Sequence, residues 1–157
     1  MSTIREQIVA AAVIALNTSR PIGVPAAVRT RVDSPAADQL PALTVFQALE
    51  TVKPMFDERP GRASVDGPVV RRYVDIAIEA LTKAGSGNEP DKAADPLLAW
   101  ASKALGSVNS LGGVAKGPAK EQGTQFNYEQ GETSFCRATM TVRVPYQTRS
   151  DNAELVA

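Results

Sequence analysis

Histidine is absent from the 157-residue sequence, and cysteine occurs once, as Cys136. The missing histidine removes the commonest metal ligand and the usual general base of enzymes. A single cysteine excludes an intrachain disulfide, and without a histidine to activate it Cys136 is a poor candidate nucleophile. Because Cys136 lies on the apolar side of a predicted strand, we interpret it as a small buried hydrophobic residue. We therefore predict no catalytic residue, no metal and no cofactor.

An excess of charge is also absent, since 17 Lys and Arg residues balance 17 Asp and Glu residues. Residues 1–83 carry ten basic and nine acidic groups, and residues 84–157 carry seven and eight. No basic half is available to bind phosphates, so specific nucleic-acid binding is not expected. Near-zero net charge gives little repulsion between copies and is compatible with self-association.

Long hydrophobic runs are missing as well. The longest, residues 8–16, is well short of the about 20 residues that span a membrane, so no membrane partner is expected. The N-terminus lacks a basic region followed by a cleavage site, so a signal peptide is not expected and cytoplasmic synthesis is the default.

Alternating apolar and polar residues predict β-strands with one buried and one solvated face. The longest alternation covers residues 134–148, and its apolar side contains Cys136, Ala138, Met140, Val142, Val144 and Tyr146. Further strands are predicted over residues 28–33, 43–50, 70–81 and 124–128. On the polar sides of these strands, arginines such as Arg137 and Arg143 recur with acids such as Glu50, Asp75 and Glu79. They predict cross-strand ion pairs that keep one face wet, or pairs with a neighbouring subunit.

Two helices are predicted. Thr3 and Glu6 fit a capping box that starts a helix ending near Leu16 or Asn17. That helix is apolar all round over residues 8–16, so either another subunit provides a second cover or its alanines tolerate exposure. The second helix is predicted over residues 91–105, with Asp95-Pro96 as a start signal within it. Its predicted buried stripe is Leu97, Trp100, Ala101, Ala104 and Leu105.

Two loops interrupt these elements, at residues 53–68 and at the glycine-rich residues 106–118. Structureless loops of the first length are uncommon and are often functional. Met55 and Phe56 lie in its polar surroundings and either anchor the loop on the core or bind a partner. With Arg59 and Arg62 they form the candidate partner interface.

Two other patterns predict little chemistry. Residues 112–117 match the start of a phosphate-binding P-loop, but Pro118 and Ala119 replace the required lysine and hydroxyl residue. Asp91 and Asp95 are four residues apart and could share a helix face that binds magnesium, but we interpret each as a helix N-cap.

The order helix, strand, strand, long loop, strand, helix, hairpin resembles the tail terminator proteins of long-tailed bacteriophages. The segments that carry the resemblance are residues 4–11, 40–45, 72–78, 95–100, 126–128 and 138–146. The resemblance implies an α+β fold, a mostly antiparallel sheet packed on one face by two α-helices, as a single domain over residues 1–157. The long loop and the glycine-rich loop depart from the family pattern.

The resemblance also implies a function by shape. Such a protein forms a ring, of six copies, that caps the tail tube, stops its polymerisation and offers a surface for head–tail joining. Its partners are copies of itself, the tail tube protein, the head connector protein and, where the tail contracts, the sheath protein. Its location is the virion, after assembly in the host cytoplasm. Alternative functions are another neck or head-closure component, a small carboxylate-dependent enzyme, or a nucleic-acid binding module.

Overall fold

The computed structural model describes residues 2–30, 35–54, 69–85, 89–130, 133–149 and 152–156. These segments contain two helices and six strands. In chain order they are α1 (Ile4–Thr18), β1 (Ala27–Arg29), β2 (Ala42–Pro54), β3 (Val69–Lys83), α2 (Pro90–Gly106), β4 (Lys120–Glu129), β5 (Phe135–Arg149) and β6 (Asn152–Val156).

The strands form one sheet in the order β1-β2-β3-β5-β4, with β6 paired to the end of β5. The pairing of β1 with β2 is parallel, and the other pairings are antiparallel. Both helices pack on one face of this sheet, which we call the covered face, and their apolar side chains share one core with it. The opposite side is the open face. The predicted single-domain α+β fold is therefore confirmed, and a half-solvated sheet is usual for antiparallel strands.

Strands β3 and β5 form the centre of the sheet and pair without interruption from Val69 opposite Arg149 to Lys83 opposite Phe135. The predicted alternation of β5 is confirmed, since its apolar side faces the helices and is fully buried. Cys136 is among these buried residues, as predicted.

Strand β2 contains an irregularity between Gln47 and Leu49 that shifts its pairing with β3 by one residue. Because side chains alternate along a strand, one extra residue moves every later side chain to the other face. Leu49 therefore lies opposite Asp75 and is exposed, whereas Glu50 lies opposite Val74 on the covered face. The prediction that Glu50 belongs to the polar side was wrong for this reason.

Helix α1 begins as predicted, because the Thr3 hydroxyl accepts a hydrogen bond from the Glu6 backbone N–H at 3.3 Å. Its buried stripe is Ile4, Ile8, Val9, Ala12 and Leu16. The glycine-rich segment provides further cover: Gly112 has a positive φ, and its backbone passes so close to α1 that an added Cβ would lie 3.2 Å from the Gln7 carbonyl oxygen. On the remaining side, Ala10 and Ile14 are exposed.

Helix α2 covers the predicted residues 91–105 and extends one residue further at each end, but Asp95-Pro96 is not its start signal, so that part of the prediction was wrong. Glu89 is the N-cap, Pro90 is the first helical residue, and Pro96 lies inside the helix. A proline at the first helical position costs no hydrogen bond, and Pro90 supplies this signal six residues earlier. Trp100 and Ala104, which were expected in the buried stripe, are only partly buried, and Ala94 and Leu98 replace them.

The peripheral strands differ most from expectation. Strand β4 is twice as long as the predicted segment 124–128, running from Lys120 to Glu129. Strand β1 is shorter than predicted, and residues 31–33 of the predicted segment lie outside the described part of the chain. Strand β6 was not predicted; it forms by pairing with β5, and its short sequence has no strong alternation.

Candidate interaction surface

Two observations on the described residues bear on possible chemistry. No three His, Cys, Asp or Glu side chains among them are grouped to hold a metal ion. The thiol of Cys136 is buried, and this desolvation, with a smaller contribution from Asp91, raises its pKa. A raised thiol pKa disfavours the thiolate and therefore nucleophilic attack.

Strand β4 is the most unusual element of the surface. It is last in the sheet order, so β5 pairs with one of its edges and the other edge meets no described strand. All ten of its residues are exposed. An open edge offers unpaired backbone N–H and C=O groups to an incoming strand, and proteins usually protect it with proline, lysine or a short length. Here the irregularity between Glu121 and Gly123 interrupts only the first residues.

Two aromatic side chains make this edge partly apolar. Phe126 and Tyr128 lie opposite Ala138 and Cys136 on the covered face, yet they are 37% and 57% exposed. They border a shallow groove that is closed on its other side by Asp91 and Asp95 of α2. Partial desolvation raises the pKa of the Tyr128 hydroxyl, and the carboxylate of Asp91 adds to this increase. The groove thus combines aromatic surface with negative charge beside an open backbone edge.

The same groove corrects the interpretation of the two aspartates. Neither aspartate is an N-cap. Asp91 lies in the first turn of α2, where the helix dipole interacts favourably with a negative charge, and Asp95 lies one turn further on. They do share a helix face, but Lys92 lies between them in the groove and no third ligand is near among the described residues.

The open face carries cross-strand ion pairs, as predicted. Arg143 donates two hydrogen bonds to the Asp75 carboxylate, at 2.7 and 2.8 Å. Arg137 contacts Glu79 at 2.7 Å and, more loosely, Glu129 at 3.9 Å. These contacts lie within one subunit.

One end of the covered face closes with a polar cluster that sequence patterns did not reveal. The Glu50 carboxylate accepts a hydrogen bond from the Tyr146 hydroxyl and contacts Arg5 at 3.0 Å and Arg72 at 3.6 Å. Arg72 also donates to the Thr148 hydroxyl at 2.8 Å. Burial of Tyr146, followed by its bond to Glu50, raises the pKa of this tyrosine strongly. The cluster links α1 to β2, β3 and β5. Its charged and hydroxyl groups bind one another, which is typical of a cluster that stabilises the fold.

Sequence reasoning placed the partner interface elsewhere. Met55, Phe56, Arg59 and Arg62 lie outside the described residues, so this prediction stays a prediction. Phe126 and Tyr128 were missed as surface residues although both were in a predicted strand. Their alternation resembles that of a buried strand, and only the sheet order puts them at an edge.

Residues 112–117, the partial P-loop match, form a turn rather than a phosphate loop. Gly112 packs against α1, and the Lys116 backbone N–H donates to the Pro145 carbonyl at 2.8 Å. These contacts direct the segment to the helix and to β5, and Pro118 has no N–H to offer a phosphate.

No helix in the described segments has the length and apolar character needed to cross a membrane. Comparison with models of known protein families gives no match. Comparison with curated proteins finds none with significant similarity to this chain.

Proposed function

We propose that this chain is a structural virion protein that forms a ring on the end of a phage tail tube. The ring stops tube polymerisation and presents a surface for head–tail joining. Its partners are further copies of the chain, the tube protein, the head connector and, in contractile tails, the sheath. The family resemblance implies six copies in the ring.

The open edge of β4 is the observation that carries this proposal. A closed ring needs a heterologous interface, in which one surface of a copy meets a different surface of the next. An exposed ten-residue edge strand is suited to such contacts, because its backbone groups can pair with a neighbouring subunit. Phe126 and Tyr128 add the aromatic contact area that is typical of interfaces.

Two further features support assembly rather than catalysis. The described residues contain no group of three or more side chains that could hold a metal ion. Tyr146, whose pKa is raised strongly, is buried and donates its hydroxyl to Glu50. The described helices and strands, apart from the additional β6, follow the order on which the resemblance to tail terminators rests. These features fit a neck or head-closure component equally well, so the experiment must distinguish the two.

The test adds purified protein to tubes polymerised from a phage tail tube protein, and records electron micrographs. We expect a ring at tube ends and tubes that no longer grow. A ring that binds connector complexes and ignores tube ends would instead identify a head-closure component. Light scattering that showed only a stable dimer under every condition would contradict the ring.

A matched pair of variants tests the role of the edge. Gln125→Lys puts a positive charge on the exposed strand β4. Natural proteins use lysine in this way to prevent another strand from pairing with an edge strand. Asn109→Lys adds the same charge in the exposed turn after α2. We expect the first variant to lose ring formation and the second to retain it, with equal melting temperatures. Equal assembly by both variants would show that the β4 edge is not the contact.

A further inference from the structure

A second surface feature lies on the open face, away from the aromatic edge. A depression of about 280 Å³ there is lined by four cationic residues, Arg71, Lys116, Lys120 and Arg143, which we call the cationic depression. They come from β3, the segment before β4, β4 and β5. The overall neutrality of the chain therefore conceals a local excess of positive charge.

The strand register brings like charges directly opposite each other. Lys53 of β2 is the partner of Arg71, and Lys120 of β4 is the partner of Arg143. Partners in an antiparallel pair project from the same face, and like charges at such positions are destabilising. Two such pairs at one end of a sheet indicate that this arrangement has a use other than stability.

Within the described part of the chain, only one of these four cations has a carboxylate partner. Arg143 binds Asp75 through two hydrogen bonds, which occupy both oxygens of that carboxylate. Arg71, Lys116 and Lys120 form no salt bridge with any residue in the described segments. Three cations thus face the depression without a counter-charge in the described structure.

Contacts among the described residues fix parts of the wall of the depression. The Tyr73 ring lies beneath the Lys53 ammonium at 5.6 Å and the Arg143 guanidinium at 5.9 Å. The segment that carries Lys116 is fixed on β5 by its backbone bond to Pro145, and an added Cβ at Gly117 would lie 3.4 Å from the Pro145 ring. The depression is therefore partly preorganised, which lowers the cost of binding a ligand.

We infer that the cationic depression binds a phosphate group. Arginine forks and lysine ammonium groups are the side chains that recognise phosphate oxygens. The phosphate belongs either to a small ligand such as pyrophosphate or to the backbone of a nucleic acid, bound without regard to sequence. This inference does not depend on the proposed ring, because the depression lies within one subunit.

The test measures binding of pyrophosphate, a short DNA duplex and polyglutamate by titration calorimetry at low ionic strength. We expect pyrophosphate or DNA to bind more tightly than polyglutamate. Binding of pyrophosphate alone identifies a small-ligand site, whereas tighter binding of DNA, with affinity that falls steeply with salt, identifies the nucleic-acid backbone. Binding of neither phosphate probe, or stronger binding of polyglutamate, overturns the inference.

Matched variants show where the probe binds. Arg71→Gln removes one cation of the depression, and Lys103→Gln removes an exposed cation from α2. The first variant is expected to weaken phosphate binding about tenfold, the loss typical of one charge-assisted hydrogen bond, and the second to leave it unchanged. Equal effects of the two variants would overturn the inference.

Stability supplies an independent readout. Because Arg71 faces Lys53, Arg71→Gln should raise the melting temperature of the ligand-free protein at low salt and reduce the stabilisation by added phosphate. A lower melting temperature in Arg71→Gln at low salt would mean that Arg71 serves the fold, and would also overturn the inference.

Discussion

Side chains on the two faces of the sheet are shielded from solvent in different ways. On the covered face, Ile76 and Val142 are buried beneath two helices. On the open face, Asp75 and Ala77 of the same strand are only 5% and 2% exposed although no described helix covers them. Longer neighbours such as Arg143 shield these short side chains. Low exposure therefore marks a helix-covered core on one face and a central strand position on the other. Most of the large buried apolar side chains belong to the first, and Leu81 is an exception on the open face.

The largest contrast between the faces is expected from truncating adjacent side chains. Ile76→Ala removes a fully buried side chain from the covered face and should lower the free energy of unfolding by about 2–5 kcal/mol. Thr141→Ala on the open face removes no large apolar contact and should cost less than about 1 kcal/mol. Urea denaturation measures both, and similar losses would mean that the open face is also a packed core.

The polar cluster at the end of the covered face should give the next largest effect. Tyr146→Phe removes the hydroxyl that donates to Glu50 and should cost about 1–3 kcal/mol, as expected for a hydrogen bond to a charged group. Tyr73→Phe, on the open face, serves as the control and should change little.

The same variant tests a pH dependence. The pKa of Tyr146 is raised above its ordinary value of 10.0 by burial and by Glu50, so the folded state favours the protonated hydroxyl. This contribution is fully present below pH 10 and is lost as the pH rises through the folded-state pKa. Above pH 10 the stability of the wild-type protein should fall more steeply than that of Tyr146→Phe. Parallel pH profiles would contradict the raised pKa.

The packing of the glycine-rich segment on α1 should make a smaller contribution to stability, and neighbouring glycines provide the control. Gly112 and Gly113 both have positive φ, but only Gly112 has neighbouring atoms within 4 Å of an added Cβ. Each alanine substitution should cost about 1–2 kcal/mol in backbone strain. Gly112→Ala should cost more, because its Cβ meets the Gln7 carbonyl. Equal melting temperatures of the two variants would mean that the segment does not pack tightly on α1.

The smallest effect is expected from the ion pairs of the open face. Asp75→Asn removes the counter-charge of Arg143 while keeping the shape of the side chain, so the melting temperature should fall slightly at low salt. The difference should shrink at high salt, because the Arg143 guanidinium is partly exposed to solvent and its charge is screened. Glu129→Gln, whose carboxylate contacts Arg137 only at 3.9 Å, should change even less. A large, salt-independent loss in Asp75→Asn would show that this face is shielded from solvent.

The predictability of the site was lower than that of the fold. The apolar side of β5 and the start of α1 follow from local patterns, and both were predicted correctly. The edge position of Phe126 and Tyr128 was not visible, because the alternation of a strand is the same whether it lies at the centre or the margin of a sheet. The predicted interface at Met55 and Phe56 lies outside the described residues, so it stays a prediction.

The sequence alone determined the two helices, five of the six strands and which side of β5 turns inward, since these properties depend on neighbours within a few residues. Only the tertiary structure decided the pairing of β6, the reversal of faces at Glu50 and the meeting of Glu50 with Tyr146, which are 96 residues apart. It also decided that Lys53 faces Arg71 and that Lys120 faces Arg143. The physical reason is that strand order and register depend on hydrogen bonds between distant segments, and a single bulge changes every side chain that follows it.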